Sequence, residues 1–318
     1  MRKLLAPAFT TLLVIAALSG CGKSSKPASP LGSNGGNNGA TAVDVAQVND
    51  QMAVHPTEVN EDVYDTSTPT AMDPTAGTFA AIRPLRWWRR IETVERNVNT
   101  VFGDPDSLGR PRSALVTITR HLVGKLYIAF GDTTPTDTSV KVITKPIDEQ
   151  WVRKLAMHRF CFPRDTLEHE EGDDDHGGWR IVGTSGVEIT SKDATTHIVS
   201  VRIQTSDRDT TITDPLALHR LRRLFCFPAL RPTKITVTTG RNDDIVFLYR
   251  FMGRRPLKNN GDGTYTIEFA DDDFVGLRHF GVNAFSKGTL LDDTAPYDSQ
   301  AWILPFAARL FDAEIGHH

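Results

Sequence analysis

From about residue 79 onward, apolar and polar residues alternate with period two in short runs. Ala114, Val116 and Ile118 share one parity, and Leu126, Ile128 and Phe130 resume it after a break at Gly124. Val199, Val201 and Ile203 alternate with Ser200 and Arg202. The runs Ile245/Phe247/Tyr249/Phe251, Tyr265/Ile267/Phe269 and Phe280/Val282/Ala284 repeat the pattern. Successive side chains of a strand point to opposite faces, so this alternation predicts half-buried β-strands. Gly, Pro, Asn and Asp clusters separate the runs at intervals of roughly ten residues, and long amphipathic helical stretches are missing. The expectation is an all-β body of tandem antiparallel β-sandwich modules.

The start of the chain reads differently. Arg2 and Lys3 precede an apolar stretch from Leu4 to Leu18, interrupted by Pro7, Thr10 and Thr11. It is shorter than the about 20 apolar residues a spanning helix needs, and it suits the core of a signal peptide. It ends in Leu18-Ser19-Gly20-Cys21, which resembles the bacterial lipobox. That resemblance implies cleavage before Cys21, acylation of Cys21 and a membrane held through lipid chains. Each buried methylene contributes about 0.8 kcal/mol, so several chains anchor firmly. In Gram-negative lipoproteins an aspartate after the cysteine favours inner-membrane retention. Gly22 therefore implies a lipid-anchored place in the cell envelope, at the outer membrane if the source is Gram-negative.

Residues 22–40 contain fourteen Gly, Ser, Asn or Pro among nineteen, too little apolar surface to offset ordering entropy. Polar character continues to about Thr78, with a short helix possible around Val43 to Met52. The expected organisation is a signal peptide (1–20), an acylated cysteine with a flexible linker (21–78), a β module (79–165), an acidic loop (166–178), a second β module (179–231) and a C-terminal module (232–318). The linker alone would reach about 40 Å.

Phe160-Cys161-Phe162-Pro163 recurs as Phe225-Cys226-Phe227-Pro228, each copy preceded by basic residues. The second module is thus a candidate repeat of the first. In an oxidising compartment Cys161 and Cys226 could pair, closing a loop worth roughly 4 kcal/mol in the chain-entropy picture. The alternative is two reduced, buried cysteines. The string Asn260-Gly261-Asp262-Gly263-Thr264-Tyr265 supplies the positive φ angles of tight hairpins. It resembles the D-G-T-Y hairpin and strand of filamin-type and bacterial immunoglobulin-like domains, which implies an immunoglobulin-like β-sandwich for the C-terminal module.

Composition narrows the function classes. The 318 residues are 39% hydrophobic and 24% charged, which excludes a wholly disordered chain. A formal net charge of -3 argues against a nucleic-acid partner. No P-loop, dinucleotide fingerprint or nucleophile elbow occurs. The acidic stretch His169, Glu170, Glu171, Asp173, Asp174, Asp175 and His176 is a candidate metal cluster, with calcium the fitting ion, but it lacks the spacing of an H-E-x-x-H helix or an EF-hand. His121, His197 and His279 sit in strand-like runs, where a histidine is more often packed than catalytic. Trp87, Trp88 and Trp179 are candidate glycan-stacking residues.

The expected function is a membrane-anchored, non-enzymatic envelope lipoprotein whose modules bind an envelope protein or polysaccharide. The alternatives are a carbohydrate-binding module and a metal-assisted hydrolase using acidic loops. Exposed coplanar aromatic rings would favour glycan binding, and carboxylates converging on a histidine in a cleft would favour catalysis.

Overall fold

The computed structural model describes residues 39–60, 69–72, 82, 84–131, 140–160, 178–228, 232–250, 253–270 and 276–309. Cys21, Cys161 and the His169–His176 cluster lie outside them. All described residues belong to one compact unit, 34–318.

The fold is all-β with antiparallel sheets. Three long strands, β2 (Pro84–Phe102), β3 (Ser113–Gly131) and β4 (Val140–Arg159), form a meander and continue into β5 (Trp179–Ser191). The sheet then jumps in sequence to β16 (Ser299–Arg309), β15 (Gly276–Phe285), β11 (Ile245–Arg250) and β12 (Gly253–Pro256). A short strand, β1 (Thr70–Ala71), pairs with β2 at the other edge, opposite Trp87 and Arg86. β8 (His219–Arg220) pairs with β5, and β9 (Phe225–Pro228) runs parallel to β16. The sheet is nearly barrel-shaped. Its two edges meet through side chains: Arg254 Nη1 on β12 donates to Thr70 Oγ1 on β1 at 3.1 Å. Trp87 packs edge-on against Phe247 and Phe285, with ring centroids 5.1 and 5.0 Å away.

A second sheet has the order β13 (Lys258–Asn259), β14 (Thr264–Ala270), β10 (Pro232–Thr239), β6 (Ile198–Gln204) and β7 (Asp209–Ile212). The D-G-T-Y hairpin forms as expected from its sequence: Gly261 and Gly263 have φ of +86° and +84°, and β13 pairs with β14.

Two cores result. The larger fills the barrel with Trp87, Ile118, Leu126, Trp151, Val187, Phe247, Phe285 and Ile303. The smaller joins Val201, Ile235, Val237 and Tyr265 of the second sheet to Val246, Leu248, Phe280, Val282, Trp302 and Leu304 of the first. Neighbours in β11 therefore face opposite cores: Phe247 and Tyr249 look into the barrel, Val246 and Leu248 out of it. A wall buried on both faces reads as a continuous apolar run, which Ile245–Tyr249 is. Strand pairing crosses the module boundaries expected from sequence. β6 pairs with β10, and β5 pairs with both β4 and β16.

The stretch expected to continue the flexible linker does otherwise. α1 (Ala42–Val54) and α2 (Pro56–Val59) pack into the larger core through Val48, Met52 and Val59. Thr41 and Asp44 form a capping box, and Asp44 also accepts hydrogen bonds from Arg159 Nη1 at 2.8 Å and Trp179 Nε1 at 3.1 Å. Asp44 is thus a cap and a clamp at once. Burial opposes its charge, but the bonds from Thr41 and Trp179 and the Arg159 charge hold its carboxyl below the usual range. Within the stretch expected to be linker, residues 42–59 thus belong to the larger core.

Candidate functional site

The barrel interior carries charge. Arg89 on β2 pairs with Glu149 on β4, and both are almost fully buried. The Tyr297 hydroxyl donates to Glu149 Oε1 at 2.5 Å. The Tyr249 hydroxyl donates to Asn283 Oδ1 at 3.0 Å, and Asn283 Nδ2 donates to Ser299 Oγ at 2.7 Å. Lys145 Nζ donates to the Gly288 and Asp292 carbonyls at 3.0 and 2.6 Å. Burial pushes the Lys145 ammonium down to about 8, against the pull of Asp292 and Asp293. Arg153 Nη2 lies 3.0 Å from His279 Nε2. The side chains of these groups are buried, and they brace the barrel walls.

The outer face of β2–β5 is open. A β-bulge between Ile91 and Thr93 changes the parity of β2. Trp88 and Arg90 point outward before it, Glu95 and Asn97 after it. Gly124, facing the bulge on β3, allows this: a Cβ there would stand 2.2 Å from the Arg90 carbonyl oxygen and 2.8 Å from Ile91 Cα. Register then assembles one outward row across four strands, Glu95, His121, Gln150 and Thr190. Beside it stand Asn97, Thr119 and Asp148.

These residues line a cleft of about 650 Å³, with Arg96, Arg120 and Ser191 of the opposite strand parity at its floor and Lys192 and Asp193 at its rim. The His121 ring is held between two carboxylates. Its Nε2 lies 2.7 Å from Asp148 Oδ1 and its Nδ1 lies 3.9 Å from Glu95 Oε2. The rim turn is fixed by Lys192 N donating to Asp148 O at 2.8 Å and Ala194 N donating to Ser191 O at 3.2 Å. Asp193 adopts φ of 58°, the left-handed region that a non-glycine residue occupies at some cost.

Further along the same face, Trp88 and Tyr127 are directly opposed and stack with centroids 5.3 Å apart and planes 6° apart. Arg90 and Lys125 lie between this pair and the cleft, and Lys125 Nζ is 3.0 Å from Glu92 Oε1. The outer face is therefore a continuous band, aromatic at one end and hydrogen-bonding at the other.

The structure sorts the residues singled out in the sequence. Trp87 and Trp179 are 0% and 1% exposed, so neither presents a ring face to solvent. Trp87 is capped by Arg254, 4.6 Å from its ring, and Trp179 packs on Phe102 and Asp44. Trp88 alone of the three reaches the outer face. His121 lies in the cleft rather than in a core, whereas His279 is buried beside Arg153. Cys226 takes a backbone place in β9, with Cys161 outside the described residues. Among the described residues no three His, Cys, Asp or Glu side chains gather so as to hold a metal ion.

The cleft itself was not legible in the sequence, because His121 meets Asp148 across 27 positions. The one local signal was the pair of polar runs Thr119-Arg120-His121 and Asp148-Glu149-Gln150, in which alternation does not say which residue faces out. No protein-family profile, no curated protein and no solved structure matches this chain.

Proposed function

We propose that the chain is a lipid-anchored, non-enzymatic binding protein of a bacterial cell envelope, which holds a polar partner on the outer face of β2–β5. The observation that carries this reading is the cleft around His121 and Asp148, a preformed array of donors and acceptors on rigid strands.

The convergence of His121 with two carboxylates also fits an acid–base site. Exposure favours binding instead. The His121, Asp148 and Glu95 side chains are 47%, 45% and 84% exposed, whereas catalytic pairs are kept in water-excluding surroundings that tune them. Among the described residues no serine, threonine or cysteine hydrogen-bonds to the His121 ring, the contact a histidine-activated nucleophile requires.

Two variants test the reading in cells. Cys21→Ala is expected to lose acyl labelling and leave the membrane fraction. The released protein is expected to co-sediment with isolated envelope material, and His121→Ala with Gln150→Ala is expected to abolish that co-sedimentation. Retained acyl labelling of Cys21→Ala rejects the anchor, and unchanged sedimentation of the double variant rejects the cleft.

A further inference from the structure

A second groove opens where the barrel seam is incomplete. β12 pairs with β11 only as far back as Phe247 and Pro256, and the chain then leaves for β13 in the second sheet. On the other side of the seam, β1 is two residues long. Between them lies a groove of about 610 Å³, at the start of β11 and beside α3 (Lys287–Leu291). Met72, Ile245, Pro256, Leu257 and Leu291 give it an aliphatic lining. It shares no residue with the His121 cleft.

One lining residue contrasts with that wall. Asp244 is 2% exposed, and neither carboxylate oxygen has a hydrogen-bond partner among the described residues. Two positions before Val246, it shares the side of β11 that faces the second sheet, next to Tyr265, which also lines the groove. Burial, and after it the Asp244 charge, push the Tyr265 hydroxyl up to about 12. Arg241 is divided between two carboxylates: its Nε is 3.2 Å from the exposed Asp243 and 3.7 Å from Asp244. A buried carboxylate without hydrogen bonds keeps its desolvation cost, so it gains far more from an added donor than an exposed one does.

The lining selects the ligand. A divalent ion such as calcium takes about six to eight oxygen ligands, and among the described residues no three metal-ligating side chains gather. An anion would meet Asp243 and Asp244, and a neutral ligand would leave the buried charge uncompensated. A protonated amine supplies both a positive charge and several N–H donors. A straight carbon chain behind it covers the aliphatic wall. Lys258 and Lys287 stand on the rim, but both are exposed, so water and salt screen their repulsion far more than the attraction of buried Asp244.

We propose that the seam groove binds a primary alkylammonium group, its nitrogen at Asp244 and its carbon chain along Met72, Leu257 and Leu291. Free aliphatic diamines and the lysine side chains of peptides both carry such a group. The site is separate from the outer-face cleft and holds or fails independently of it.

Titration calorimetry on the full chain in detergent, against a detergent blank, tests this with pentylamine, ethylamine, pentanol, cadaverine and N-acetyl-lysine amide. Pentylamine is expected to bind saturably, about tenfold or more tighter than pentanol, which lacks the charge, and than ethylamine, which lacks the chain. Asp244→Asn is expected to level pentylamine with pentanol, and Met72→Ala to narrow the ratio of pentylamine to ethylamine. Saturating pentylamine should raise the Tm of wild type and leave Asp244→Asn unmoved. Asp209→Asn, which alters an exposed carboxylate paired with Arg202 on β6 and β7, is expected to keep full binding. Tighter binding of cadaverine than of N-acetyl-lysine amide marks a free amine as the source, and the reverse marks a peptide.

Equal affinity of wild type for pentylamine and pentanol overturns the proposal, as does amine binding that survives Asp244→Asn. So does the lack of saturable binding by any of the amines. Calcium binding that depends on Asp244, with the amines inert, would make the corner a metal site and reject the alkylammonium assignment.

Discussion

At the residue scale, burial sets the sign of what a charge does. Asp244 is 2% exposed, and among the described residues neither of its oxygens has a hydrogen-bond partner. The neighbouring Thr239 hydroxyl donates to the Arg241 carbonyl at 2.7 Å instead, and Arg241 Nε stands 3.7 Å from the carboxylate. Burial pushes the Asp244 carboxyl up, aided by Asp243 and Asp298 and opposed by Arg241. A group raised in the fold contributes fully below its unfolded value, and the contribution is lost as pH rises through the folded one. At neutral pH the buried charge therefore costs stability. Asp244→Asn is expected to stabilise the protein at pH 7. In urea melts the gain should shrink on acidification, as the wild-type carboxyl takes up its proton. A gain that grows on acidification would show that burial is not what raises Asp244. Nothing in the sequence marked this residue, since Asn242-Asp243-Asp244 reads as an ordinary polar turn.

At the scale of elements, alternation carried most of the information that was legible. The parity of Ala114, Val116, Ile118, Leu126 and Ile128 is the parity of burial in β3. Gly124, read as a break, is instead the point where an uninterrupted strand passes a bulge in its neighbour. Its requirement is space, not a special φ, because the Arg90 backbone occupies the position of a Cβ. Gly124→Ala is accordingly expected to destabilise by about 2 kcal/mol or more, as an overpacked site between two backbones. It should also disturb the parity that turns Glu95 toward His121. Thermal stability and cleft-dependent co-sedimentation with envelope material should therefore fall together, and full stability with full sedimentation would refute this account of the bulge. The helices were harder to see. A short helix near Val43–Met52 was readable, but its role was not. Its buried positions are Asp44, Val48 and Met52, one turn apart, and the first of them is a carboxylate. In a composition that otherwise reads as a tether, two apolar residues on one face carry too weak a signal to announce a core element.

At the scale of the whole molecule, the sequence could not show that the strands of the expected modules interleave. That arrangement depends on β5 choosing β16, some hundred residues away, and on one wall serving two cores. What ties the far walls together is the charged interior, and it yields the sharpest test of the barrel. Glu149 on β4 receives Arg89 from β2 and the hydroxyl of Tyr297 from the segment before β16. One carboxylate thus connects three parts of the barrel that are distant in sequence. Removing one partner of a buried pair is costly, because the other charge keeps its desolvation penalty and loses its compensation. Glu149→Ala is expected to cost about 3–5 kcal/mol, or roughly 10 °C in Tm for a body of this size. Replacing both charges with apolar groups, Arg89→Met with Glu149→Leu, removes the penalty with the attraction and is expected to cost clearly less than the single change. The Tyr297 hydroxyl then loses its acceptor, so the double variant should still fall short of wild type by about 1–3 kcal/mol. Adding Tyr297→Phe should recover part of that difference. If the double variant is instead as unstable as Glu149→Ala, the carboxylate matters through the Tyr297 side of the barrel, and Arg89 contributes little to holding the walls together.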